Sequence, residues 1–74
     1  MDFIDRATMR IEHWMEHNIG HLHSYEQFAA ELEAGGVGDA ARHVRAMAEH
    51  TRESQICLDS ALAALREAGA RGED

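Results

Sequence analysis

Proline and lysine are both absent from these 74 residues, and cysteine occurs once, as Cys57. Without proline, nothing inside the chain forces a helix to break, so long uninterrupted helices are permitted. One cysteine excludes an internal disulfide, and no secretory apolar segment opens the sequence, so a reduced, cytoplasmic chain is expected. No run of about 18 apolar residues occurs, which argues against a membrane-spanning helix. Acidic residues number 14 against seven basic ones, all arginine, for a formal charge of −7. No basic stripe is available to neutralise phosphates, so nucleic acid is not an expected partner. The acidic balance favours solubility and attracts cations. A chain this short buries too little apolar surface to be stable comfortably alone and needs a metal or a partner chain.

Alanine, glutamate, arginine and leucine dominate, a composition that suits helices. Asp2 is placed to cap a first helix, with Asp5 adding negative charge to its first turn. Apolar residues then recur at Ile4, Ala7, Ile11, Trp14, Tyr25, Phe28 and Leu32, in alternating steps of three and four. That is the beat of a coiled-coil seam, passing through two polar positions, Asn18 and His21. Gly35-Gly36-Val37-Gly38 closes the helix with residues that accept a left-handed backbone. Asp39 caps a second helix whose seam runs Val44, Met47, Thr51, Ser54, Leu58, Ala61, Leu65 and Ala68, widened on one flank by Ala48 and Leu62. The expected elements are a helix over about 3–34, a loop at 35–38 and a helix over about 40–68. The last residues, 71–74, are expected to fray.

The architecture read from this pattern is all-α: a single domain spanning 1–74, built as an antiparallel two-helix hairpin. An isolated hairpin leaves much of each seam uncovered, so two copies are expected to pair as a four-helix bundle or elongated coiled coil. Folding about the loop sets residue i of the first helix against roughly residue 73−i of the second. Asn18 then faces Ser54 or Gln55, and His21 faces Thr51 or Arg52. A buried polar layer of this kind fixes register and oligomeric state, with or without a metal.

The most distinctive stretch is His13-Trp14-Met15-Glu16-His17-Asn18-Ile19-Gly20-His21. Histidines four apart stack one turn above another on a helix, and two such imidazoles reach a single divalent ion. The row climbs from an exposed flank at His13, through His17, into the seam at His21. Doubled by a two-fold axis, it supplies a four-nitrogen shell. Trp14 is expected to pack over the rings as a water-excluding cover, not as a ligand. Glu12 and Glu16 are near enough to orient a ring or complete a shell. Imidazole suits zinc, copper and nickel, so spacing alone does not select the metal. Cys57 falls near the level of His17 and is either a small apolar filler or an added ligand. His23 and His50 come to similar levels as a weaker second site, or are simply exposed, and His43 carries no signal. Gly20, inside a helix, either permits a close approach or is a tolerated exposed glycine. Met9, Met15 and Met47 belong to the core or its flanks.

His13-Trp14-x-x-His17-x-x-x-His21 resembles the HWx₂Hx₃H motif of the CooJ-type nickel-binding accessory proteins of carbon monoxide dehydrogenase maturation. The flanking runs Met9-Arg10-Ile11-Glu12 and Leu22-His23-Ser24-Tyr25 resemble the N-terminal coiled-coil region of that family. The resemblance implies a helical homodimer with Ni(II) at its interface, held by His13, His17 and His21 beside Trp14. It implies metal storage or delivery, with carbon monoxide dehydrogenase or its maturation proteins as partners. The histidine-rich C-terminal tail of such proteins is not among these residues.

Catalysis is not expected. No HExxH places a glutamate as general base, and no nucleophile stands with an oxyanion donor set. The alternative to metal binding is a structural dimerisation module with incidental histidines. Haem ligation between helices is a third, weaker reading.

Overall fold

The computed structural model describes residues 2–72, so Glu73 and Asp74 lie outside the described residues. Two helices account for nearly all of it: α1, Phe3–Ala34, and α2, Gly38–Ala70. The expected all-α hairpin is what forms. The Asp2 side chain caps α1 as anticipated, its Oδ1 accepting from the Asp5 N–H at 2.8 Å.

The connection is shorter than expected and closes by a defined motif. Val37 N–H donates to the Leu32 carbonyl at 2.9 Å and Gly36 N–H to that of Glu33 at 3.1 Å. This nested pair of bonds satisfies carbonyls at the end of α1, and it requires Gly36 at φ +83°. Glycine takes that left-handed backbone without the penalty a side chain incurs. Val37 then stands at the N-cap of α2 with no side-chain cap. Asp39, expected to be the cap, instead lies in the first turn, because Gly38 is already helical. Its charge still complements the positive end of the helix dipole.

At its other end α2 runs to Ala70, past the anticipated stop near Ala68. A Cβ built on Gly69 would lie 3.7 Å from Ile4 Cγ2, so α2 continues where it touches the start of α1. Arg71 and Gly72 close it by hydrogen bonds to the Glu67 and Gly69 carbonyls.

The hairpin is 55 Å long and 10 Å thick, a single layer of two helices. Its radius of gyration, 16.7 Å, compares with about 11 Å for a compact domain of this length. The fully buried side chains are Ala29, Ala41, Ala48 and Leu62. Helix-to-helix contact therefore rests on small residues, which let the backbones approach.

The seam differs from the one read off the sequence by a rotation of each helix. On α1 the shielded positions are Ile4, Ala7, Thr8, Ile11, Met15, Asn18, Leu22, Tyr25, Ala29 and Leu32. With Ile4 as heptad position a, all but Ala7 are positions a and e, whereas the expected partners of a were at d. Trp14 and Phe28, assigned to the seam by their apolar character, are 49% and 52% exposed. The same holds on α2: Ala48 and Leu62, expected only to widen a flank, are in the core, and Met47 is out of it. The cause is size. Alanine at 29, 41 and 48 fits where two backbones come close, and tryptophan and phenylalanine do not.

The polar break expected in the middle is present. Asn18 Nδ2 donates to Ser54 Oγ at 3.4 Å, and Gln55 Nε2 to the Met15 carbonyl at 3.2 Å. Gln55 Oε1 is buried with no hydrogen-bond partner.

The rotation gives the hairpin two unlike edges. On one, Arg45 pairs with Glu33 and Arg52 with Glu26, each at 2.6 Å. These four residues all follow an a position, which places them together on that edge. The opposite edge carries the d positions: Trp14, His21 and Phe28 from α1 and Met47 and Ser54 from α2 are exposed there, while the small Ala7 and Ala61 stay half-buried.

If alanine and Leu62 contacts hold the helices together, Leu62→Ala lowers unfolding free energy by about 2–3 kcal/mol. Ile56→Ala, at a position 68% exposed, changes it by less than about 0.5 kcal/mol. Urea unfolding followed by circular dichroism measures both, and equal losses would refute this assignment of the core.

Candidate metal centre

α1 is unbroken from Phe3 to Ala34, so residues four apart on it are stacked by the helix itself. His13, His17, His21 and Tyr25 form one continuous row of rings, exposed from His13 to His21 and entering the seam at Tyr25. The His13 and His17 ring centroids are 6.3 Å apart with the planes 21° from parallel. His17 and His21 are much closer, 4.3 Å between centroids and edge-to-face at 89°. His21 in turn stacks on Tyr25 at 5.6 Å and 12°.

The His17–His21 pair is the chemically significant one. Nε2 of His21 lies 2.8 Å from Nε2 of His17. One nitrogen must carry a hydrogen and the other a lone pair for this to be a hydrogen bond. Each of the two nitrogens is thus aimed at the other across a short gap. A cation bonded to two imidazoles at about 2.05 Å needs its nitrogens about 2.9 Å apart for a right-angle bite, or about 3.3 Å for a tetrahedral one. The observed spacing matches the first and needs about half an ångström of opening for the second. A cation held by both would sit about 1.5 Å off the line between them, so the proton must leave and each ring must turn toward the ion.

A shallow groove of about 420 Å³, lined by Glu16, His17, Gly20, His21 and Ser24, lies against the pair. A Cβ on Gly20 would meet nothing within 4 Å, so the space beside the pair is open. Within this chain Gly20 serves no close packing. Ser24 bends back to donate from Oγ to the Gly20 carbonyl at 3.2 Å, which leaves its hydroxyl directed along the helix.

The three histidines singled out from the sequence are therefore not equivalent. His17 and His21 are brought together, and His13 remains one turn away in the row. Among the described residues no three His, Cys, Asp or Glu side chains converge on a common point. One chain offers two nitrogens, and a full shell requires donors from outside it. Trp14 stacks on none of the described rings. It lies instead in a neighbouring groove of about 370 Å³ with Phe3, Arg6, Ala7, Arg10 and Ile11. The expected cover over the histidines is not made within the chain, because Trp14 points to the same open edge as the rings do.

Other candidates separate clearly. Cys57 is exposed and is not an apolar filler. His50 faces Glu53, Nδ1 to Oε2 at 3.8 Å, and among the described residues neither it nor His23 joins a group of three or more candidate ligands. His43 joins no site. Tyr25 lies in the seam, where the sequence pattern puts it, and its place four residues after His21 also makes it the last ring of the ladder 13, 17, 21, 25.

Fold and site together define a two-helix hairpin with a two-imidazole bite on its open edge. The chain belongs to a family described as a domain of unknown function, DUF8180, whose family model matches residues 7–65 and so spans the histidine row and most of both helices. Comparison with curated proteins and with solved structures finds no match.

The unequal geometry of the row has a measurable consequence. His17→Ala and His21→Ala each weaken binding of a divalent transition metal by at least about tenfold, since chelation by the pair is lost. His13→Ala weakens it less than either. Isothermal titration of the three variants tests the ranking, and an equal or larger loss for His13→Ala would contradict it.

Proposed function

We propose that this chain is a nickel-binding accessory protein, a metallochaperone or store, that holds Ni(II) between two copies of itself. His17 and His21 are the primary ligands and His13 an outer one, with Trp14 beside the site. The observation that carries the reading is the 2.8 Å approach of two ring nitrogens on an open edge. Because each chain provides two nitrogens and no third donor converges on them among the described residues, a second copy is the simplest source of the remainder. Four imidazoles around one ion is a coordination that nickel, copper and zinc all accept. The choice of nickel, and of carbon monoxide dehydrogenase maturation as its destination, follows the resemblance of His13-Trp14-x-x-His17-x-x-x-His21 to HWx₂Hx₃H. An exposed site suits a protein that must release its metal to a recipient. Among the described residues no helix is long and apolar enough to cross a membrane.

A second reading is favoured by one observation. The Asn18–Ser54 and Gln55–Met15 hydrogen bonds form a polar layer in the seam, which is what a dimerisation module uses to fix register. Under that reading the histidines are incidental.

Metal removal separates the two. Nickel at about a hundredfold excess over its Kd stabilises the native state by about 2.7 kcal/mol, roughly 10 °C or more in melting temperature for a domain of this size. Chelator reverses the gain, and a His17→Ala/His21→Ala variant never shows it. A melting temperature indifferent to nickel and chelator, with unchanged Trp14 fluorescence during titration, would favour the dimerisation module.

A further inference from the structure

The uncovered edge of α1 carries two grooves, and both have the form of a hole between four helical neighbours. The first is centred on Ala7, Arg10, Ile11 and Trp14, the second on His17, Gly20, His21 and Ser24. Residues at i, i+3, i+4 and i+7 are what a knob from a facing helix enters in coiled-coil packing. The same edge also presents a knob without a hole: Phe28, 52% exposed. Phe28 lines neither groove of its own chain.

We infer that the edge is self-complementary in the antiparallel sense: the Phe28 ring of one copy fills the Trp14–Arg10 groove of the other, and Arg10 pairs with Glu31 across the contact. This rests on the proposal that a second copy covers the histidine edge, and it specifies how that copy is oriented. If residue i lies across from about residue 38−i of the partner, Phe28 meets the hole at Ala7, Arg10, Ile11 and Trp14. The same register sets His17 opposite the partner's His21, and the partner's His17 enters the hole around Gly20. The open space above Gly20 is then where the two helices cross. One alignment fills both holes, and it brings both imidazole pairs to the two-fold axis.

Charge selects the antiparallel sense over the parallel one. Arg10 and the Glu31 carboxylate have no ion-pair partner among the described residues. In the antiparallel alignment the partner's Glu31, one turn from its Phe28, comes to the rim of the first groove beside Arg10. In a parallel alignment Arg10 faces Arg10 and Glu31 faces Glu31, and like charges across a contact oppose association.

The test is a charge swap on the full chain in metal-free buffer with chelator, with the dimer dissociation constant read by sedimentation. Arg10→Glu and Glu31→Arg each raise that constant about tenfold or more, because every contact occurs twice by symmetry. The double variant returns it to within about threefold of the parent. Circular dichroism checks that helicity is unchanged, as both sites are exposed. A dimer whose constant ignores the swaps, or is not restored by the double variant, overturns the docking and leaves the metal proposal standing. A restored dimer that takes up no nickel supports the docking and defeats the metal proposal. A chain that stays monomeric throughout overturns the docking. A second measurement does not depend on charge. In a Cys57→Ser background, Arg10→Cys and Phe28→Cys chains mixed under oxidised glutathione form the mixed disulfide. Self-linked Arg10→Cys dimers would show the parallel arrangement and overturn the inference.

Discussion

The contact between small side chains along the hairpin governs the rest of the molecule. Ala29, Ala41 and Ala48 are almost wholly removed from solvent, while every large apolar side chain except Leu62 keeps some exposure. An alanine side chain buries little area, so each contributes little, and stability depends on repetition along two long helices. It also makes the seam narrow. The apolar stripe on α1 is wider than one neighbour covers, and the surplus, with Trp14, Phe28 and the histidines, is turned to one edge.

The two edges then acquire different roles. Arg45–Glu33 and Arg52–Glu26 finish one edge with ion pairs between half-exposed side chains, each worth about 1 kcal/mol or less in water. Their value lies in register: they lock the two helices at one offset, which in turn fixes where the ring row stands relative to α2. The other edge is left with rings, two grooves and a pair of imidazole nitrogens 2.8 Å apart. A hairpin 10 Å thick has no third layer to cover that edge, and the amphipathic pattern calls for one.

Much of this was legible in the residues. Helix limits followed from Asp2, from the glycine run and from the absence of proline, and the Asn18–Ser54 meeting followed from simple hairpin register. The histidine row was legible because a spacing of four is a geometric statement on a helix. What the sequence concealed was rotation. A stripe occupying a, d and e does not declare which pair of positions faces the first neighbour. Hydrophobicity alone assigns Trp14 and Phe28 to that contact, yet close approach of the backbones selects Met15, Leu22 and Ala29. Nor does spacing reveal that His17 and His21 converge while His13 stands apart, since side-chain torsions decide it. Asp39 failed as a cap because the hydrogen-bonded closure at Gly36 and Val37 let the helix begin two residues earlier.

The central claim is that two imidazoles on one edge, doubled by a second copy, hold a single cation. Anomalous diffraction at the nickel edge from crystals grown with Ni(II) addresses it most directly. The account predicts one peak per dimer on the two-fold axis, about 2.1 Å from Nε2 of His17 and His21 in both copies. A peak elsewhere, or rings of His17 and His21 turned to solvent with no second chain nearby, would contradict it.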